Sequence, residues 1–496
     1  MDPERTPVLA GAAQYTQRDA EPEQALAAPD MLERVARAAF EDAGAGASAA
    51  AGLDLVGVGA ALGWRALNPP QILADRLGAS SARAVSTAVG GEMALRFVDH
   101  CAREIAAGRL RSALICGTHN LRTLRRASRK GVQLRWEETA RSAPETFGEN
   151  TVGSSPLELA YGLDRPSSVY PIFENALRAR RGLDLATHRQ RMGELMSGFT
   201  RVAAGNPHAW FPAERSAEEI ATPAPDNRMI AFPYTKYLNA VMETDQAAAL
   251  WITSAATARS LGVPAQRLVH YWGGHQAAER AWFPTERPDF ASCPALAAAV
   301  RGALARAGTD LEAVGLFDFY SCFPVAVEMA CEMLGLRESD PRGFTLTGGL
   351  PYAGGPGNNY TLHSLATLVQ RLRAAPGAIG LVTGNGWYLT KHSACVCSSA
   401  PLEKPGEAPP VDPGPEACKL APVAEGACSV ETYTVLYDRD GAPERGIVVG
   451  RLDGGERFLA HTPPDRALLE AFAAREEVGR RGRVRHVGER NVFEPL

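Results

Sequence analysis

Short apolar runs alternate with segments whose apolar residues recur every four positions, and this succession occurs twice, about 265 residues apart. The first passage has a helix-like stretch at 31–43, apolar runs at 53–59 and 84–91, a second helix, and the run 112–117. The second passage repeats the order with a helix at 297–307, a run at 311–319, a glycine-rich segment at 347–359, a helix, and the run 378–384. Short apolar runs bounded by turn residues read as buried strands, so 7–13 is predicted to be a strand in a sheet interior. Met93, Phe97, Cys101 and Ile105 share one face of a helix expected over 90–108, where Gly108 can close the C-terminus. Self-similarity at this period predicts two related α/β halves packed together, with a site where they meet.

The pattern breaks in two places. Between about 120 and 235 the chain is rich in Arg, Glu, Pro and aromatic residues, with helical spacing at 169–180 and 186–203 and no strand alternation. This reads as a mainly helical insertion lying over the first half as a lid. From 400 to 426 Pro, Glu, Gly and Ala dominate, a composition that cannot bury a core and suits a linker. Beyond it, alternation at 432–437, a turn at 438–441, runs at 446–452 and 457–460 and a helix at 464–474 predict a small β-rich module of oligomer-binding-barrel type. The expected domains are therefore 1–262, 263–399, a linker at 400–426, and 427–496.

Composition narrows the function. A formal net charge of −4 argues against a nucleic-acid partner. The one dense basic cluster, Arg122, Arg125, Arg126, Arg129 and Lys130, reads as a solvated helix face before it reads as a seat for a nucleotide phosphate. The first residues lack the layout of a signal peptide, and no run approaches the roughly 20 apolar residues of a membrane span. Nine cysteines without scaffold spacing suit reduced thiols, so a cytoplasmic location is expected. Cys395 and Cys397 resemble half a metal site, but nothing of matching spacing completes it and no metal is expected.

The doubled halves, the insertion and three loops together resemble the thiolase superfamily over roughly residues 5–399, most closely its type-1 thiolase-like branch with an additional C-terminal domain. The resemblance implies a five-layered α/β/α/β/α core and a slot for coenzyme A or an acyl-CoA thioester. It also implies a cysteine nucleophile at the start of the first-half helix, where Val89 stands here. The family's Gly-His-Pro loop corresponds to Gly354, Gly355 and Pro356, with glycine in place of histidine. Its Cys-x-Gly motif falls on Thr383, Gly384, Asn385 and Gly386, and its oxyanion-water motif on Tyr320, Ser321, Cys322 and Phe323. Carbon–carbon bond making in that family needs the nucleophile and base together, so ordinary thiolase activity is expected to be weak or absent.

Other groups remain as candidates. His363, four residues after Asn359, could face the slot, and Cys322 could serve as a nucleophile beside a base. A capped or core histidine and a buried thiol are the plainer readings of both. Asn358, Asn359 and Asn385 are suited to polarise a thioester carbonyl, or simply to tolerate turn conformations. The Tyr320 hydroxyl can donate a hydrogen bond, and His119 ends a core strand where site residues gather. Three readings follow: an acyl-CoA-binding protein without thiolase chemistry, a divergent acyltransferase or thioester hydrolase using His363 or Cys322, and a noncatalytic binding protein whose C-terminal module docks a partner. Monomer and homodimer both fit.

Overall fold

The computed structural model describes residues 2–136, 138, 140, 142–410, 412 and 414–496. Ten strands form one continuous sheet, and their order shows the doubling. In the first half Pro7–Thr16 pairs antiparallel with Asp245–Ser254, which pairs antiparallel with Ser112–Asn120; Leu55–Val58 and Arg83–Thr87 then follow in parallel. The second half repeats this arrangement with Val269–Ala278, Lys391–Ser398, Ile379–Gly386 and Leu316–Asp318. The halves join through their opening strands, where Val8 and Leu9 pair with His270 and Val269.

Helices cover both half-sheets and fill the space between them. On the outside of the first half, Ala28–Ala43 and Pro69–Leu77 enclose a core with Met31, Leu32, Phe40 and Trp251. Pro294–Arg306 and Pro324–Leu334 cover the second half. The middle layer is Met93–Ala106 beside Tyr360–Ala374, both touching strands of the two halves. Met93, Phe97, Cys101 and Ile105 are all buried there, as the four-residue spacing predicts. Each such side chain contributes about 1.5–3 kcal/mol by leaving water. Gly57 permits the close approach of that helix, since a Cβ there would lie 2.1 Å from the Phe97 ring.

The insertion carries the two long helices Pro166–Arg180 and Leu185–Ala204. It also carries a hairpin, Met229–Ala231 with Tyr234–Thr235, that joins the C-terminal sheet by pairing Ala231 with Leu436. In that sheet Gly426–Tyr437, Pro443–Leu452, Arg457–His461, Arg490–Pro495 and Arg481–Val487 pair in a closed ring, with the helix Arg466–Ala474 between the third and fourth strands in sequence. This five-stranded barrel is of oligomer-binding type. Its last two strands were not apparent from the pattern, because Arg and Glu occupy alternate positions on their exposed faces.

Arg457, wholly buried, fastens the barrel to the second half. It pairs with Glu431, donates to the carbonyls of Thr285 and Arg287, and lies over the Phe290 ring. The basic cluster lies on the helix Leu121–Lys130, where Arg125 pairs with Glu243 and both Arg126 and Lys130 pair with Glu21. Among the described residues, no helix is long and apolar enough to cross a membrane.

Candidate functional site

The residues that the motifs single out come from both halves and meet at the start of the middle-layer helix. Ala88, Val89, Gly90 and Gly91 lead from the strand Arg83–Thr87 into Met93–Ala106. Val89 is 36% exposed, whereas Ala88, Gly90 and Glu92 beside it are buried. Its amide donates to Asn150 Oδ1 at 3.0 Å.

The glycine-rich loop reaches this turn through Asn358, which is buried and fully engaged. Its Oδ1 accepts from the Gly90 amide at 2.8 Å and its Nδ2 donates to the Ala60 carbonyl at 2.7 Å. Gly354, with φ +108°, lies so close to Gln246 that a Cβ would fall 2.1 Å from its Oε1. Gly355 follows, with its amide donating to the Val241 carbonyl, and a Cβ there would lie 3.2 Å from that oxygen. Pro356 ends the motif ahead of the turn 357–359.

Strand ends of the second half close the opposite side. The Tyr320 amide donates to Thr383 Oγ1 at 2.9 Å, and its hydroxyl packs on Gly91, where a Cβ would be 2.4 Å away. The amide of Asn385 donates to the Tyr170 hydroxyl at 2.8 Å, and its Oδ1 is buried without a partner. Cys322 is buried beside Tyr170, and burial pushes its thiol up to about 12. A thiol so raised is protonated at neutral pH. Burial likewise raises the Tyr320 hydroxyl, with nearby Cys322 and Glu92 adding to the effect.

His363 shares an interior cavity with Gly354. Its Nδ1 donates to Gln14 Oε1 at 2.9 Å while Nε2 faces Asn359 Nδ2 at 3.3 Å, in a small cavity with His208, Gln246 and Tyr360. Asn359 also donates to the Gly117 carbonyl at 2.9 Å. Burial lowers the His363 imidazole to about 3, so it is neutral and hydrogen-bonded on both sides. His119 lies between these groups, with Nε2 donating to the Met242 carbonyl at 2.7 Å and Nδ1 buried without a partner near Gly357.

Four residues at the site carried no signal in the pattern: Glu92, Lys391, Tyr170 and Trp387. Lys391 Nζ lies 2.8 Å from Glu92 Oε1 with both side chains almost wholly buried, a charge contact and not an aligned hydrogen bond. Burial raises the Glu92 carboxyl, and Lys391 opposes that shift. The Glu92 carboxylate fills the space beside Gly386, where a Cβ would be 1.9 Å from Oε2, and a Cβ on Gly384 would be 2.9 Å from the Glu92 Cα. A cysteine side chain at either glycine is therefore sterically blocked. Trp387 and Leu389 hold φ of +56° and +57°, a strain of about 1–3 kcal/mol each for residues with side chains. The Trp387 indole is fixed by a bond to Thr151 Oγ1 at 2.9 Å and packs on Gly153. A glutamate inside an apolar helix start and a lysine at the head of a buried strand were visible singly, but only the fold brings them together.

Comparison with known proteins agrees with this architecture. The family model for the thiolase-like protein type 1 additional C-terminal domain matches residues 411–489. No curated protein matches the sequence. Among solved structures, a monomeric SCP2-thiolase-like protein type 1 from Mycobacterium smegmatis is 34% identical, with 100% of each chain covered and a TM-score of 0.86. More distant similarities show the fold alone. The acetyl-CoA acetyltransferase of Syntrophomonas wolfei is 16% identical over 80% of this chain and 99% of its own, with a TM-score of 0.57. The Acat5 thiolase of Ascaris suum, solved with coenzyme A, is 15% identical over 79% and 99%, with a TM-score of 0.56. The doubled sheet, the C-terminal barrel and this full-length likeness together make the chain a member of the SCP2-thiolase-like protein type 1 family.

Proposed function

We propose that this protein holds a coenzyme A thioester, or a closely similar thioester, in the cleft at Val89 without performing the thiolase reaction. The observation that carries this reading is Val89 itself. The exposed side chain at the head of the middle-layer helix is a branched hydrocarbon, and the amides on either side of it are held by Asn150 and Asn358. An accessible apolar contact at a helix start suits binding of an acyl group, while acyl transfer there would need a nucleophile with a base in reach. The coenzyme A bound by the Ascaris suum thiolase of the same fold supports the choice of ligand class.

Neither remaining reactive group favours catalysis. The Cys322 thiol is raised and beside a tyrosine, and the His363 imidazole is lowered and committed to Gln14 and Asn359. A divergent transferase or hydrolase therefore stands second. Calorimetric titration with acetyl-CoA, run beside a thiolysis assay with acetoacetyl-CoA and CoA, tests the proposal. Saturable binding without turnover is expected; turnover abolished in Cys322→Ala or His363→Ala would replace it with the enzymatic reading.

We further propose that the chain acts as a monomer. The short strand Glu145–Phe147 pairs with Arg83–Thr87 at the outer edge of the first half, reinforced by Arg83 with Glu145. An edge strand of only three residues offers a second copy little ladder to pair with. The Mycobacterium smegmatis relative is described as monomeric. Light scattering should give a mass near 52.8 kDa; a mass of twice that would refute the assignment.

A further inference from the structure

We propose that Glu174, His188 and Glu328 bind one divalent transition cation of the zinc class, at the junction of the insertion's two long helices with Pro324–Leu334. One ligand atom from each residue lies within 4.8 Å of the others, and all three side chains are no more than 1% exposed. The site is separate from the cleft at Val89 and has no part in the proposed thioester binding.

The charge balance around it calls for a cation. Four carboxylates, those of Glu174, Glu328, Glu332 and Glu338, cluster here, and the last three share the guanidinium groups of Arg181 and Arg191. Arg181 Nη1 bonds Glu328 Oε2 and Glu338 Oε1, each at 2.8 Å, and Arg191 lies 3.1 Å from Glu338. No guanidinium reaches Glu174, which accepts instead from the Tyr234 hydroxyl and from His188 Nε2, each at 2.6 Å. An unmatched carboxylate at this depth costs several kcal/mol.

The atoms brought together have the character of ligands. Glu328 Oε1 is buried without a hydrogen-bond partner. Glu174 Oε1 lies only 2.6 Å from His188 Nε2, so the ion would replace the proton between them and take both atoms as ligands together with Glu328. Imidazole with two carboxylates suits zinc or a neighbouring transition ion; magnesium and calcium take six or more oxygens. The ion would tie the insertion to the second half. A proton shared within the cluster is the competing answer.

Protein produced in zinc-supplemented medium, analysed by plasma mass spectrometry before and after mild chelation, decides between them. One zinc per chain is expected, with a melting temperature that falls on chelation and recovers with zinc but not with magnesium. Glu328→Gln and His188→Gln should each lower zinc affinity at least about tenfold. Wild-type protein that carries almost no zinc and melts alike with zinc or chelator would overturn the proposal, as would unchanged zinc content in both variants. Should the variants fail to fold, X-ray absorption of the zinc-loaded wild type still decides it: one imidazole with oxygen ligands is required, and sulfur ligation or oxygen ligation alone refutes it.

Discussion

Lys391 and Glu92, almost 300 residues apart in sequence, meet as a buried ion pair behind the exposed Val89, and Lys391 Nζ also approaches the Val89 carbonyl at 3.4 Å. Glu92 fills the space beside Gly384 and Gly386. Removing one partner leaves an uncompensated buried charge, so Lys391→Met is expected to cost about 3–5 kcal/mol of stability and the double variant Glu92→Leu/Lys391→Met much less. Urea denaturation of the wild type, both single variants and the double variant checks this; a double loss equal to the sum of the single losses would mean that the pair is not coupled.

Thiol accessibility separates Val89 from every native cysteine. Eight of the nine cysteines are buried, and Cys418 is partly exposed. Under native conditions iodoacetamide should label Cys418 in the wild type, and both Cys418 and the new thiol in Val89→Cys. Thiolysis of acetoacetyl-CoA should not rise with the added thiol, because the Glu92 carboxylate behind it is buried against Lys391. Peptide mapping by mass spectrometry together with the thiolysis rate gives both answers.

Acid should destabilise the fold through its buried histidines. Burial lowers His363 and His392 from 6.5 to about 3. A folded-state value below the unfolded one contributes stability that is present above pH 6.5 and is lost as pH falls toward 3. In that window each histidine removes about 1.4 kcal/mol per pH unit. Stability measured between pH 6.5 and 4 should therefore fall, and His363→Gln should reduce the slope by about one proton; an unchanged slope would mean that the imidazole is charged when folded.

Arg457 should be irreplaceable by lysine. Its buried guanidinium meets Glu431 and two carbonyls of the second half at once, a geometry that a single ammonium cannot reproduce. Arg457→Lys and Arg457→Ala should both lower stability by several kcal/mol, on the order of 3–5 for alanine. Calorimetric scans would show it; barrel and core melting together in the wild type and separately in the variants is the expected pattern.

What the sequence revealed depended on range. Met93, Phe97, Cys101 and Ile105 declared their helix because its face is written at four-residue spacing, and the second half declared itself by repeating the order of the first. The replacements at Val89, at Gly355 and at Thr383 or Gly384 are read from aligned motifs alone. Pairs that only folding creates were hidden: Glu92 with Lys391, Arg457 with Glu431, and His188 with Glu174. So was the commitment of Asn385 to Tyr170, which lies in the insertion. Local periodicity records which face is buried, whereas buried charges record what the rest of the chain places opposite them.

Carbon-13 NMR of carbonyl-labelled acetyl-CoA mixed with the protein at equal concentration tests the central claim in a single sample. The account expects the thioester carbonyl to shift or broaden saturably, in a manner lost in Val89→Trp, while its intensity stays constant over hours. A carbonyl untouched by the protein, or its conversion to acetate, acetoacetyl-CoA or an acyl-enzyme, would contradict it.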